Sequence, residues 1–174
     1  IAARSGYAYQ RWKKGIDVEL IKKPGVFRVD KLRTILLFEA DFNFMNKHIG
    51  RQVAWHAEHN KAIAIEQYGS RKDHRSIEHA LNTVLNIDAL RQIRMPGALC
   101  SNDMKSCYDR IVHSVAALSL RRQGVSEASV VCMFSTLQDL EHTIRTAFGD
   151  SDTTYGGPLW IVPMQGVGQG NSAG

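Results

Sequence analysis

Long apolar runs and paired cysteines are missing from this chain, and each absence excludes a class of protein. No apolar run approaches the roughly 18 residues that a membrane helix needs, so no membrane span is expected. The cysteines number three, Cys100, Cys107 and Cys132, in apolar or helical contexts and without paired metal-ligand spacing. That pattern fits a reducing, intracellular setting and not a disulfide scaffold. Neither an internal repeat, a low-complexity tract nor a domain linker is visible. The opening residues IAARSGYAYQRWKK lack an initiator Met and a signal-peptide core, and the closing GVGQGNSAG stops in a glycine-rich turn where a helix is expected to begin. Both ends read as cut, so the expectation is a piece of a longer protein.

What is present is the composition of one ordinary soluble domain: 174 residues, 44% hydrophobic and 22% charged. The formal net charge is +5 and the pI about 9.2. The excess gathers early, in Arg11, Lys13, Lys14, Lys22, Lys23, Arg28, Lys31 and Arg33, opposed there by Asp17, Glu19 and Asp30. A basic end of this kind suits a polyanion, and a solvated basic face fits the same charges.

Hydrophobic spacing predicts the elements. Pro24 and Gly25 mark a turn between extended segments. From Lys31 to about His59, Leu32, Ile35, Leu36, Phe38, Phe42, Met45 and Ile49 recur at helical spacing, with an extended start also compatible. After the polar loop QYGSRKDHRS, Ser76 is placed to cap a helix that buries Ile77, Leu81, Val84 and Leu85. Pro96 and Gly97 break it, leaving Ala98 to Ser101 as a short central strand with Asp103 at its end. The next helix is predicted from about Asp109 to Gln123, with Ile111, Val112, Val115 and Leu118 on its buried side and a stop at Gly124. Another is predicted from Ser126 to Gly149, carrying Val130, Phe134, Leu137, Leu140 and Ile144 inward. The tail DSDTTYGGPLWIVPMQG reads as loop and short strand, bent at Gly156, Gly157 and Pro158.

SNDMKSCYDRI, residues 101–111, is the stretch that asks for chemistry. Asp103 fits a turn cap or a metal ligand at a strand end, Tyr108 fits half-buried packing or a functional ring, and Asp109 fits the cap of the following helix. In WHAEHN, His56 and His59 stand three apart with His48 nearby, but they lack a second ligand pair and the spacing of a zinc enzyme. They read as polar helical residues.

Four segments, in order, resemble the reverse transcriptase family, in particular the cellular retroelement type. They are IKKPG with VDKLRTILL, similar to a fingers segment; QYGSRKDHRSIEHAL, similar to an aromatic-Gly-x-Arg loop and its helix; NDMKSCYDRI, similar to the first palm motif; and MQGVGQGNSAG, similar to the Gly-x-x-Gln-Gly turn opening the second palm motif. Asn43 and Lys72 depart from residues common in the fingers, where Lys and Pro are frequent. The family's aromatic-x-Asp-Asp turn is absent from these residues, since GDSD at Gly149 to Asp152 lacks both the adjacent pair and the aromatic; it is expected beyond Gly174.

The resemblance implies an α+β right-hand polymerase fragment, mostly helical with a small antiparallel sheet. Residues 1–96 would be fingers and 97–174 a palm cut before its second carboxylate motif. The activity implied is RNA-templated DNA synthesis, with an RNA template, a DNA primer, deoxynucleoside triphosphates and Mg²⁺, or Mn²⁺ in its place. Such a reaction is an in-line phosphoryl transfer, catalysed by positioning and by two metal ions about 3.5–4 Å apart. Asp103 is then the catalytic metal ligand, with backbone groups of Met104 to Cys107 left free for the triphosphate. Tyr108 aligns with a steric gate under the sugar, where an inflexible ring excludes a 2′-hydroxyl. Gln169 faces the incoming nucleotide, Gly170 lets the backbone approach it, and Asn171 or Ser172 caps the helix that follows. Arg33 offers a planar, permanently charged fork to the triphosphate, while Lys23 and Arg71 fit phosphate contacts or plain surface cations. An RNA-templated RNA polymerase is the rival enzyme, with Asp103 and Asp109 as its spaced acids; Tyr108 and Gln169-Gly170 count against it. An RNA-binding module descended from a polymerase is the rival of another class.

Overall fold

The computed structural model describes residues 1–26, 28–157 and 166–171. Pro158 and Ser172 lie outside the described residues. The chain forms two compact units, residues 1–53 with 106–174, and residues 54–105.

The first unit is built on a four-stranded mixed sheet, β1 Lys14–Ile21, β2 Leu32–Leu37, β3 Glu141–Thr146 and β4 Gly149–Gly156, in the order β2-β1-β3-β4. β1 pairs antiparallel with β2, placing Asp17 opposite Leu36. It pairs parallel with β3, Gly15 opposite His142, and β3 returns antiparallel as β4, His142 opposite Tyr155. The all-antiparallel sheet implied by the resemblance is therefore corrected. A parallel pair needs a long crossover, and here the helices between β1 and β3 supply it.

Helices α1 Ala2–Ser5, α4 His113–Arg122, α5 Glu127–Gln138 and the first two-thirds of α2 Ala40–His59 complete this unit. Its core joins Trp12, Phe38, Phe42, Ile49, Val130, Met133, Phe134, Leu137 and Leu140, and Phe42 is wholly buried. Trp12 packs on Phe42 at 5.4 Å between rings and donates its indole N–H to Asp41 Oδ1 at 2.7 Å, so its polar edge is matched. α5 follows the expected helical spacing, and the Ser126 side chain caps it by accepting from the Ser129 N–H at 3.3 Å.

Several expected boundaries move. The helix predicted to run to Gly149 ends at Gln138, and β3 begins at Glu141. Thr143, Ile144 and Thr146 are β-branched and fit a pleated strand better than a helix, and Gly149, with φ 127°, closes the β3–β4 hairpin. α4 starts at His113 after a 3₁₀ turn at Tyr108–Arg110, so Val112 is its N-cap and Asp109 is not. Its inward side is His113, Ala116, Ala117 and Leu120, while Val115 and Leu118 face outward. The small alanines let α4 approach α5 closely, and that selects the face.

The second unit carries α3 Ser76–Gln92. Ser76 is its first residue, not its cap; Arg75 holds that position, and its N–H is accepted by the Glu78 carboxylate at 3.2 Å. Ile77, Leu81, Val84 and Leu85, predicted to be buried, are exposed. The strand predicted at Ala98 to Ser101 does not form. Four residues need a neighbouring strand to bond their backbone groups, and none of the described strands pairs with them.

The choice of face on α4 is directly testable. Ala117 is 8% exposed and Val115 63%, so Ala117→Leu overpacks the contact with α5 and costs about 1–3 kcal/mol, whereas Val115→Ser changes stability by less than about 0.5 kcal/mol. Denaturant midpoints of the two variants check this, and the reverse order would contradict the fold.

Candidate functional site: a cavity under the mixed sheet

β1 reads KGIDVELI, so alternation puts Ile16, Val18 and Leu20 on one face and Gly15, Asp17 and Glu19 on the other. The second face is the one covered: Gly15 leaves room for Leu36 and Leu140 to close over it, and Asp17 is 2% exposed. A buried carboxylate must be matched. Asp17 Oδ2 accepts from His142 Nδ1 at 3.0 Å and from the Tyr155 hydroxyl. The two rings stack, with centroids 4.8 Å apart and 19° between planes. One carboxylate thus ties β1 to β3 and β4.

Burial, and then the bond to Asp17, push the Tyr155 phenol well above its ordinary pKa. His142 Nε2 is buried and has no hydrogen-bond partner among the described residues.

This triad borders a cavity of about 280 Å³ whose described lining also includes Thr34, Leu36, Asp109, Leu137, Leu140 and the turn from Gly166 to Gln169. The turn is held at three points. The Val167 N–H donates to the Tyr108 carbonyl at 3.0 Å, the Gly166 N–H to the Ile111 carbonyl at 2.8 Å, and the Gln169 carbonyl accepts from the Leu36 N–H at 2.9 Å. His113 adds a bond from its Nε2 to the Gly166 carbonyl. Glycine is required here: Gly166 has φ 88°, and a Cβ on it would stand 2.7 Å from both the Tyr108 carbonyl oxygen and the Asp109 Cα. Gly170 has φ 138°, and a Cβ there would strike the Leu36 carbonyl oxygen.

The residues singled out in the sequence divide between the two units. Gln169 and Gly170 meet β2 at Leu36, Tyr108 is joined to the same turn through Val167, and Gln169 lines the cavity with Asp109. The close approach made by Gly170 is to Leu36, a protein partner. Asn171 is buried, and its Oδ1 accepts from Asn46 Nδ2 at 3.2 Å. Arg33 is exposed on β2, and alternation sets it on the face away from the cavity lined by Thr34 and Leu36. Lys23 is exposed in the turn after β1.

Asp103 and Arg71 belong to the second unit. Asp103 is exposed, in a stretch without regular structure and not at a strand end. Arg71 is committed: its guanidinium forks onto Glu58 at 2.7 and 2.8 Å and bonds the Ala64 and Gln67 carbonyls at 3.1 and 3.0 Å, which ties the polar loop to the end of α2. The same fork raises the Arg71 pKa and lowers that of Glu58. His56 and His59 are exposed, and Trp55 stacks on His59. Among the described residues no group of three or more His, Cys, Asp or Glu side chains could hold a metal ion.

Sequence reasoning missed Asp17, His142 and Tyr155. The available signal was Asp17, an acid set between Gly15 and Glu19 on one face of β1. It looks like a solvent face until residues 125 and 138 positions away arrive to cover it. No family model matches the chain, and no curated protein matches it in sequence.

The raised phenol pKa has a definite sign. The folded state favours the protonated ring, so Tyr155 contributes stability that is full below about pH 10, the ordinary phenol value, and is lost as pH rises through the higher folded value. Spectrophotometric titration should show one phenol resisting ionisation until the chain unfolds, and Tyr155→Phe should remove that component. A Tyr155→Phe titration superimposable on the parent would contradict the bond to Asp17.

Proposed function

We propose that the chain is the fingers and first half of the palm of an RNA-templated DNA polymerase of the reverse transcriptase type, working as part of a longer protein. One observation supports the reading beyond sequence order. Three of the four segments carrying the resemblance, LRTILL, the Tyr108-Asp109 pair and the Gly166–Gly170 turn, meet at a single cavity through backbone hydrogen bonds of 2.9 to 3.0 Å. Segments more than 50 residues apart in sequence are thereby joined at one place, as a nucleotide site would require.

In this reading Tyr108 excludes a 2′-hydroxyl from the sugar position, and Gln169 orients the nucleotide from the cavity wall. Lys23 and Arg33, exposed on β1–β2 and its turn, draw the polyanionic template and primer by charge. Asp103 is exposed, so a cation can reach its oxygens. Mg²⁺, which is commonly held by one or two carboxylates together with substrate phosphates, would neutralise the charge of the transferring phosphoryl group there. A single carboxylate does not complete such a site, and the remaining ligands are assigned beyond Gly174.

A second reading, an RNA-binding module without catalysis, draws on the exposed cations Lys23 and Arg33 of β1–β2 and its turn.

The two readings separate on one variant of the complete protein. Asp103→Asn should lower RNA-templated primer extension by about a hundredfold or more while RNA affinity and thermal midpoint stay near those of the parent. Extension retained at about a tenth of the parent's rate or above, a deficit of only about 1.4 kcal/mol, would remove Asp103 from the reaction.

A further inference from the structure

The outer face of α2 carries chemistry that the polymerase reading does not assign. Along this one unbroken helix, Phe42, Asn46, Ile49, Val53 and Ala57 stand four or three positions apart and are buried or half-buried. Helical geometry fixes what lies opposite. Phe44, His48, Arg51, Trp55 and His59 keep the same spacing, and all five are exposed. Two of them are large rings left in water, Phe44 at 75% and Trp55 at 66% exposure. A single exposed ring needs no explanation, but two on one line with cations between them do.

The charge on this line has one sign. Lys47 stands beside His48 and Arg51 and is exposed as they are. The two acids of α2 are engaged elsewhere: Asp41 accepts from Arg11 and from Trp12 Nε1, and Glu58 takes the Arg71 fork. Trp55 is also oriented, because its ring lies 5.2 Å from that of His59 with 6° between the planes. At 1.5 Å per residue, Phe44 and Trp55 are about 16 Å apart along the helix axis, with Lys47 and Arg51 between them.

We propose that this face of α2 binds unpaired nucleic acid, with bases stacked on Phe44 and Trp55 and phosphates held by Lys47 and Arg51. A single strand offers negative charge and unstacked rings together, so it matches both halves of the pattern. A duplex keeps its bases paired within the helix, and an acidic peptide answers only the charge. None of the described residues lining the cavity belongs to α2, so this surface is separate from the nucleotide site proposed above.

Fluorescence anisotropy of a labelled oligouridylate of about twelve nucleotides, titrated with the wild-type chain, tests the proposal. Phe44→Ala and Trp55→Ala should each weaken binding about fivefold or more through lost stacking, while Trp55→Phe, which keeps a ring, should stay within about threefold of the parent. Arg51→Gln should reduce the slope of log affinity against log salt by about 0.7, and Trp55→Ala should leave that slope unchanged. These positions are exposed, so each variant should unfold at the parent's thermal midpoint. Asp103→Asn should not alter this binding, which keeps the outcome separate from that of the polymerase reading. Equal affinity of parent and Trp55→Ala for the single strand, the same loss with a hairpin duplex, or a polyglutamate peptide that binds more tightly than the oligouridylate would each overturn the proposal.

Discussion

The bond from the Leu36 N–H to the Gln169 carbonyl holds the first unit's cavity together. β2 is an end strand of the sheet, and an uncovered edge of N–H and C=O groups invites association with other chains. The turn from Gly166 to Gly170 covers it. That turn can lie so close because Gly168 and Gly170 carry no Cβ; on either, a Cβ would collide with Leu36. At its other end the turn is fixed to Tyr108, Ile111 and His113. Leu36 meanwhile sends its side chain into the core and pairs with Asp17 across the sheet. Edge protection, core packing and cavity shape therefore depend on the same residue.

Sequence reveals the parts of this arrangement whose cause is local. α5 is legible because Val130, Phe134 and Leu137 keep helical spacing behind a serine cap. Its end is not, because Leu140 and Ile144 continue that spacing and also stand two apart from His142, as strand alternation requires. The buried face of α4 was hidden for another reason. Val115 and Leu118 are the larger apolar residues, but contact with α5 favours the side that carries Ala116 and Ala117. The glycine turn was recognisable as a motif, while its partner, Leu36, was not. The Asp17 triad was invisible for a similar reason, since its members are brought together only by the parallel pairing of β1 with β3 and the hairpin that follows.

The same division bears on function. Tyr108, Asp109, Gln169 and Gly170 were picked out by pattern, and they share one neighbourhood. Asp103 and Arg71 were picked out by the same pattern and belong to a unit with an exposed apolar helix and no strand. A carboxylate at a strand end is stiff because the sheet holds its backbone. Asp103 lacks that support among the described residues. On the proposed reading, a stiff Asp103 would need support that the described residues do not supply.

Whether the glycine turn closes the edge of β2 decides whether the cavity exists as described. Amide hydrogen exchange of Leu36, followed by NMR, measures it most directly. Although the Leu36 N–H points away from β1, it should exchange as slowly as the amides bonded between β1 and β2, protected by Gln169. Exchange at the rate of an unprotected edge amide, with the β1–β2 ladder still slow, would mean that the glycine turn does not close this edge and that the segments around the cavity are unconnected.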